Sequence, residues 1–213
     1  MPANLFAGFF ISFFLVSLGT NKLCSQNRVF ETYQKDGLLK EKFEGFIRNG
    51  DTIKHGSYKY FSGNVLRQEG LMSNSKAQGT WKVYSQDAKL IQQINFENGE
   101  RHGNYVMFFP QGGICQQGSY NSGALNGLFY TYYENGNTES ITEYLNGTPH
   151  GTLKLFFENG LLFKDCTLNH GIEHGPFKQY FDNGQINYLG TKQQGSFADS
   201  LKVYYKNGKL QRT

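Results

Sequence analysis

GLFYTYYENGNTESITEYLNGTPH, residues 127–150, decides the fold. An aromatic-rich run (LFYTYY) meets Glu-Asn-Gly. A second extended run (NTESITEYL) follows and meets Asn-Gly again. Asn-Gly between two strand-like runs is the strongest short-range signal for a β-hairpin, because both residues tolerate positive φ. The segment therefore predicts a hairpin with strands of about 5–8 residues.

Outward from this segment the same unit recurs. Gly79, Gly103, Gly127, Gly151 and Gly175 stand 24 residues apart without a slip, and Asp199 takes the next place. Nine residues after each comes Gly112, Gly136, Gly160, Gly184 or Gly208, with Ala88 as the exception. Five residues after each comes Tyr84, Phe108, Tyr132, Phe156, Tyr180 or Tyr204. Two residues after comes Trp81, Tyr105, Phe129, Leu153, Phe177 or Leu201. A third glycine set falls at Gly99, Gly123, Gly147, Gly171 and Gly195. The stretch from His55 is the same unit with a shorter turn, and residues 33–50 are a degenerate copy. Such an array is one domain. A lone hairpin is marginal in water. About seven stacked edge to edge predict an all-β fold, an elongated single-layer antiparallel sheet, with the in-phase aromatics supplying burial. The predicted hairpin turns are Asn135–Gly136, Asn159–Gly160, Asn183–Gly184 and Asn207–Gly208.

Composition agrees. The chain has 213 residues, 26 Gly, 4 Pro and 16% aromatics. That suits short strands and tight turns, and it argues against disorder and against a helical bundle. The net charge of +4 is mild and no run of three Lys/Arg occurs, so nucleic acid is not an expected partner.

Residues 5–18 (LFAGFFISFFLVSL) form an uncharged apolar run. It is short of the ~20 residues of a membrane span and fits the core of an export signal, although no Lys or Arg precedes it. Cleavage between Ser25 and Gln26 divides the chain into a signal peptide, 1–25, and a repeat domain, 26–213. An uncleaved anchor and lipoprotein processing at Cys24 are the alternatives. The expected location is periplasmic, outer-surface or secreted, with no membrane span left after cleavage.

The pattern resembles the MORN family (membrane occupation and recognition nexus), in the variant repeat of exported bacterial proteins. The matching pieces are YLNG at 144–147, His150-Gly151 and FFENG at 156–160. They recur at 96–99, 102–103 and 108–112, and more loosely over 174–184. The resemblance covers about residues 33–208. It implies an elongated sheet of hairpins and a protein-binding role; such proteins are often labelled antitoxins. Ala88, Asp199 and residues 195–198 depart from the pattern and are expected to loosen the second and last units.

Candidate chemistry is sparse. His55, His102, His150 and His174 each precede a repeat glycine. Copies in neighbouring units lie roughly 9–10 Å apart, too far for two imidazoles to share a zinc. No metal and no cofactor are expected. Cys115 and Cys166 are predicted to be free thiols about four strands apart, beyond disulfide reach. Glu134, Glu158 and Asp182 recur before Asn-Gly and read as solvated turn residues.

One stripe stands out. Lys59, Lys82, Lys154, Lys178 and Lys202 follow the repeat glycine by three residues, with Val106 and Tyr130 in the other two units. Strand alternation puts each on the same face as the aromatic two residues later: Tyr84, Phe156, Tyr180 and Tyr204, with Phe61 in the shorter unit. The other face, with Trp81, Tyr105, Phe129 and Phe177, is expected to be better buried. The Lys and aromatic residues form the expected binding surface of a non-enzymatic exported scaffold. A protein partner is the first reading, a surface glycan or lipid headgroup the second, and neutralisation of a toxin the third. Residues 200–205 are expected to be an exposed final strand.

Overall fold

The computed structural model describes residues 27–198 and 201–213; the expected export signal, Cys24 and Asp199 lie outside the described residues. The described chain contains strands and turns and no helix. One antiparallel sheet takes up all eighteen strands.

The strands form a meander of hairpins. They are β1 (Arg28–Tyr33) with β2 (Leu39–Arg48), β3 (Asp51–Ser62) with β4 (Val65–Ser73), β5 (Lys76–Tyr84) with β6 (Leu90–Glu97), and β7 (Glu100–Phe108) with β8 (Ile114–Asn121). After the short β9 (Ala124–Leu125) come β10 (Gly127–Tyr132) with β11 (Thr138–Leu145), β12 (Thr148–Phe156) with β13 (Leu162–Asn169), and β14 (Ile172–Tyr180) with β15 (Ile186–Gln193). The short β16 (Ser196–Phe197) precedes β17 (Lys202–Tyr204), which pairs with β18 (Leu210–Arg212). These make eight hairpins against about seven read from the sequence, because the truncated last copy closes its own loop. That loop also changes the edge: β17 is covered by β18, so residues 200–205 are not the final strand.

Two kinds of turn alternate, and they correct the sequence reading. The geometry with two positive φ values occurs in the third glycine set, at Asn146 (49°) and Gly147 (81°) and again at Asn98 and Gly99. At 133–137 only Gly136 is left-handed, at 87°. Its N–H donates to Tyr133 O at 2.9 Å, and Tyr133 N–H donates to Asn137 O at 2.9 Å. This is a type I turn closed by a left-handed residue. Asn135 is there for its side chain: its Oδ1 accepts the N–H of Asn137 at 2.9 Å, an Asx turn.

Each tight turn is followed by a bulge at the repeat glycine. Tyr144 faces Pro149 and Thr142 faces Leu153, so Glu143 alone spans His150, Gly151 and Thr152. Glu143 Oε2 accepts the N–H of Thr152 at 2.9 Å, and Glu44 Oε2 does the same for Ser57 at 2.9 Å. The bulge would otherwise leave these donors unpaired.

Burial lies mainly on one face. Phe43, Trp81, Ile94, Tyr105, Cys166 and Phe177 are 4–8% exposed, and no described side chain falls below 2%. A single layer can bury a side chain only against its lateral neighbours. The aromatics supply this through successive contacts: Phe30 to Phe43 (ring centroids 5.4 Å), Tyr58 to Trp81 (5.3 Å), Tyr105 to Phe129 (6.2 Å). Such pairs contribute about 0.5–1.5 kcal/mol beyond area burial.

Candidate binding faces and the repeat scaffold

The lysines of the expected binding surface share one cross-strand row on the face opposite the core. Its registered neighbours run Glu31, Lys42, Lys59, Glu69, Lys82, Gln93, Val106 and Gln117, then Tyr130, Ile141, Lys154, Asp165, Lys178, Leu189 and Lys202. Phe61, Tyr84, Phe156, Tyr180 and Tyr204 lie two residues further along the same strands, on the same face. Each faces an aliphatic residue across its hairpin: Leu66, Leu90, Leu162, Ile186 and Leu210. The ten residues named from the sequence thus form two adjacent rows.

The reading missed what stands between the lysines. Glu69 is paired with both Lys59 and Lys82, and Asp165 with both Lys154 and Lys178. Lys59 Nζ is 3.7 Å from Glu69 Oε2. The other Glu69 oxygen accepts the Tyr84 hydroxyl at 2.6 Å. Burial, and then this carboxylate, push the Tyr84 hydroxyl up to about 12. The signal was present: Glu69, Gln93, Gln117, Ile141, Asp165 and Leu189 also recur at 24 residues. It needed the second strand of each hairpin laid against the first.

The histidine slot has a structural task. In three units the residue there accepts the backbone N–H of the next repeat's tight turn. His55 Nδ1 takes Asn74 N–H at 3.4 Å, Gln78 Oε1 takes Asn98 N–H at 3.0 Å, and Asn126 Oδ1 takes Asn146 N–H at 3.4 Å. His150 stands in the same slot, and its ring lies 5.3 Å from that of His170 in the neighbouring turn. Among the described residues, no three His, Cys, Asp or Glu side chains are grouped to hold a metal.

The core face carries two ionic clusters that the sequence reading did not find. Lys54 Nζ lies 3.0 Å from Glu41 Oε1 and sits over the rings of Phe43 and Tyr58. Glu173 lies between Lys164 (2.9 Å) and Lys192 (3.3 Å), with Lys192 over Phe177 and Phe197. Burial works to raise the Glu173 carboxyl, but the two ammonium groups outweigh it and hold it below the usual carboxylate value. The thiols are free: Cys166 is buried in the core row and Cys115 half-buried, with β10, β11 and β12 between their strands. Burial pushes the Cys166 thiol up to about 11.

An open sheet built by stacking one hairpin unit defines a repeat protein of the scaffold type. Residues 125–146 and 173–191 match the family model of the MORN repeat variant. These two segments are similar to MORN-variant repeats, a fold that is typically a non-catalytic scaffold. No curated protein matches the chain.

Proposed function

We propose that the protein is a non-enzymatic, exported scaffold of the cell envelope that binds a protein partner on its lysine face. One observation carries this reading: five lysines of separate repeats fall on a single cross-strand row, beside a row of aromatic and aliphatic residues interrupted by Thr138 opposite Tyr132. Such a row offers apolar area with charge at its margin, the composition of a protein interface. Lysines outnumber the acids on it, so the partner surface is acidic and binding weakens with salt.

The test is capture from the organism's envelope fraction by the tagged full chain, beside a Lys82→Gln/Lys154→Gln/Lys178→Gln variant. Gln is the right replacement because these lysines flank Glu69 and Asp165; Glu would set carboxylates side by side on adjacent strands, which destabilises a sheet. One stoichiometric acidic protein, lost with the variant, is the expected result. A partner retained unchanged by the variant removes the lysine row from the mechanism. No captured protein at all removes the protein-partner reading.

A further inference from the structure

The middle of the lysine row carries no charge. Between Lys82 on β5 and Lys154 on β12 the same row holds Gln93, Val106, Gln117, Tyr130 and Ile141. We propose that this central stretch is a binding site for a neutral saccharide chain, a site separate from the lysines at its two ends.

Three features point to that chemistry. Tyr130 and Tyr132 project from the same face of β10 with their ring planes nearly parallel, 14° apart, and with centroids 6.4 Å apart. They make a half-buried pair of parallel rings, an aromatic platform of the kind against which the C–H face of a sugar ring packs. Gln117 Nε2 donates to the Tyr132 hydroxyl oxygen at 2.5 Å. That leaves the Tyr132 O–H and the Gln117 carbonyl oxygen to serve a ligand, a donor and an acceptor side by side. Beside the platform is an open depression of about 320 Å³ bounded by Asn104, Val106, Gln117, Leu128 and Tyr130. Amide, hydroxyl and apolar groups are interleaved in it without a carboxylate or an ammonium.

The ligand class follows by matching. Neutral sugars alternate apolar C–H faces with hydroxyls that both donate and accept, which is what planar amides and tyrosines offer in return. An anionic ligand finds no cation in this stretch. The equivalent depression two units earlier, lined by Ser57, Lys59, Glu69, Leu71, Thr80 and Lys82, is charged, so the neutral chemistry belongs to the centre and not to the repeat as such. A site on an open face suits the side of an extended chain more than a small molecule enclosed on all sides.

Affinity electrophoresis of the full chain through native gels containing hydroxyethyl cellulose, laminarin or amylopectin tests this. Retardation in at least one gel is expected. It weakens tenfold or more in both Tyr130→Ala and Gln117→Met, and it survives in Lys82→Gln and Lys154→Gln. Thermal unfolding of each variant accompanies the gels; Gln117→Met keeps the length of the side chain, so at least one variant retains the platform's fold. Unaltered mobility in all three gels overturns the proposal. So does retardation that Tyr130→Ala and Gln117→Met leave intact, or that the lysine variants abolish. Because the lysine variants here are those of the protein-capture test, the two readings fail separately.

Discussion

The two halves of the sheet are held by different means. From β1 to β10 the core face is dense with rings: Phe43, Tyr58, Trp81, Ile94 and Tyr105 form one buried cluster, with Phe30, Phe96, Tyr120 and Phe129 packed against it. From β11 to β18 the equivalent row is thinner: Leu153 stands where Trp81, Tyr105 and Phe129 stand earlier, with Thr142 and Cys166 on either side of it. The loops show the reverse. In the second half Asn135, Asn159 and Asn183 each donate from Nδ2 to a carbonyl in the next loop, at Glu158 (2.9 Å), Asp182 (3.4 Å) and Lys206 (3.0 Å). In the first half the same slot holds Asp36, Asp87 and Gln111. There Lys89 Nζ reaches Pro110 O at 3.1 Å in place of an asparagine. Both segments that match the repeat family lie in or reach into the loop-regular half. Regular loop sequence and dense packing are thus alternative ways to keep hairpins stacked, and family resemblance follows the loops.

The largest expected effect tests the packed half. Trp81 is 8% exposed, and its Nε1 donates to Leu71 O at 3.1 Å. Trp81→Ala should cost about 3–5 kcal/mol in urea unfolding. In a linear array the loss propagates only to neighbours, so hydrogen exchange should accelerate in β3 to β7 and hold in β12 to β15. Uniform acceleration along the sheet would break the comparison.

Next comes the residue beneath that ring. A Cβ on Gly70 would sit 2.5 Å from Trp81 ring atoms. Gly70→Ala should therefore cost about 1–3 kcal/mol by overpacking, although Gly70 occupies a strand, where alanine is ordinarily the better residue. A stability equal to the parent would show that the ring can slide, and that the cluster is looser than its burial suggests.

Much of this was legible in the sequence and some was not, for identifiable reasons. The 24-residue period, the single antiparallel sheet and the assignment of Trp81 and Lys82 to opposite faces follow from strand alternation alone. The two turn types were not separable, because Asn-Gly stands in both; only the backbone shows that Asn146 takes a positive φ while Asn135 works through its side chain. The acids between the lysines were missed because register was read within one strand type. Gly70 and Gly118 look like ordinary sheet glycines in the sequence, and their meaning depends on Trp81 and Phe129 folding over them.

A smaller effect is expected in the loop-regular half. Asn183 Oδ1 accepts the N–H of Gln185 at 3.1 Å while its Nδ2 holds the last loop at Lys206 O. Asn183→Ala removes both bonds at an exposed site and should cost about 1 kcal/mol. The loss should appear first as faster exchange in β17 and β18, which are only three residues long each. An unchanged last unit would mean that the asparagine ladder follows the stacking and does not support it.

The smallest effect has the opposite sign. Ala88 occupies the left-handed position of its loop at φ 56°, where the next unit has Gly112 at 103°. The loop nonetheless closes, with Ser85 N–H to Lys89 O at 2.8 Å and Ala88 N–H to Ser85 O at 3.1 Å, so the departure expected to loosen this unit leaves its geometry in place. What remains is the steric cost of a Cβ in that region, about 1–2 kcal/mol. It is offset in part by the greater unfolded freedom of glycine, about 0.4–1 kcal/mol. Ala88→Gly should therefore stabilise the chain by about 0.5–1 kcal/mol, read as a rise in the urea midpoint with an unchanged slope. Gly112→Ala is the reciprocal change and should lose a similar amount. If both shifts appear, the loops of the packed half carry stability of the same kind as those of the other half, and the division between halves is one of degree. If Ala88→Gly does nothing while Gly112→Ala destabilises, the packing around Trp81 already sets the Ala88 loop, and the strain there is absorbed by the core.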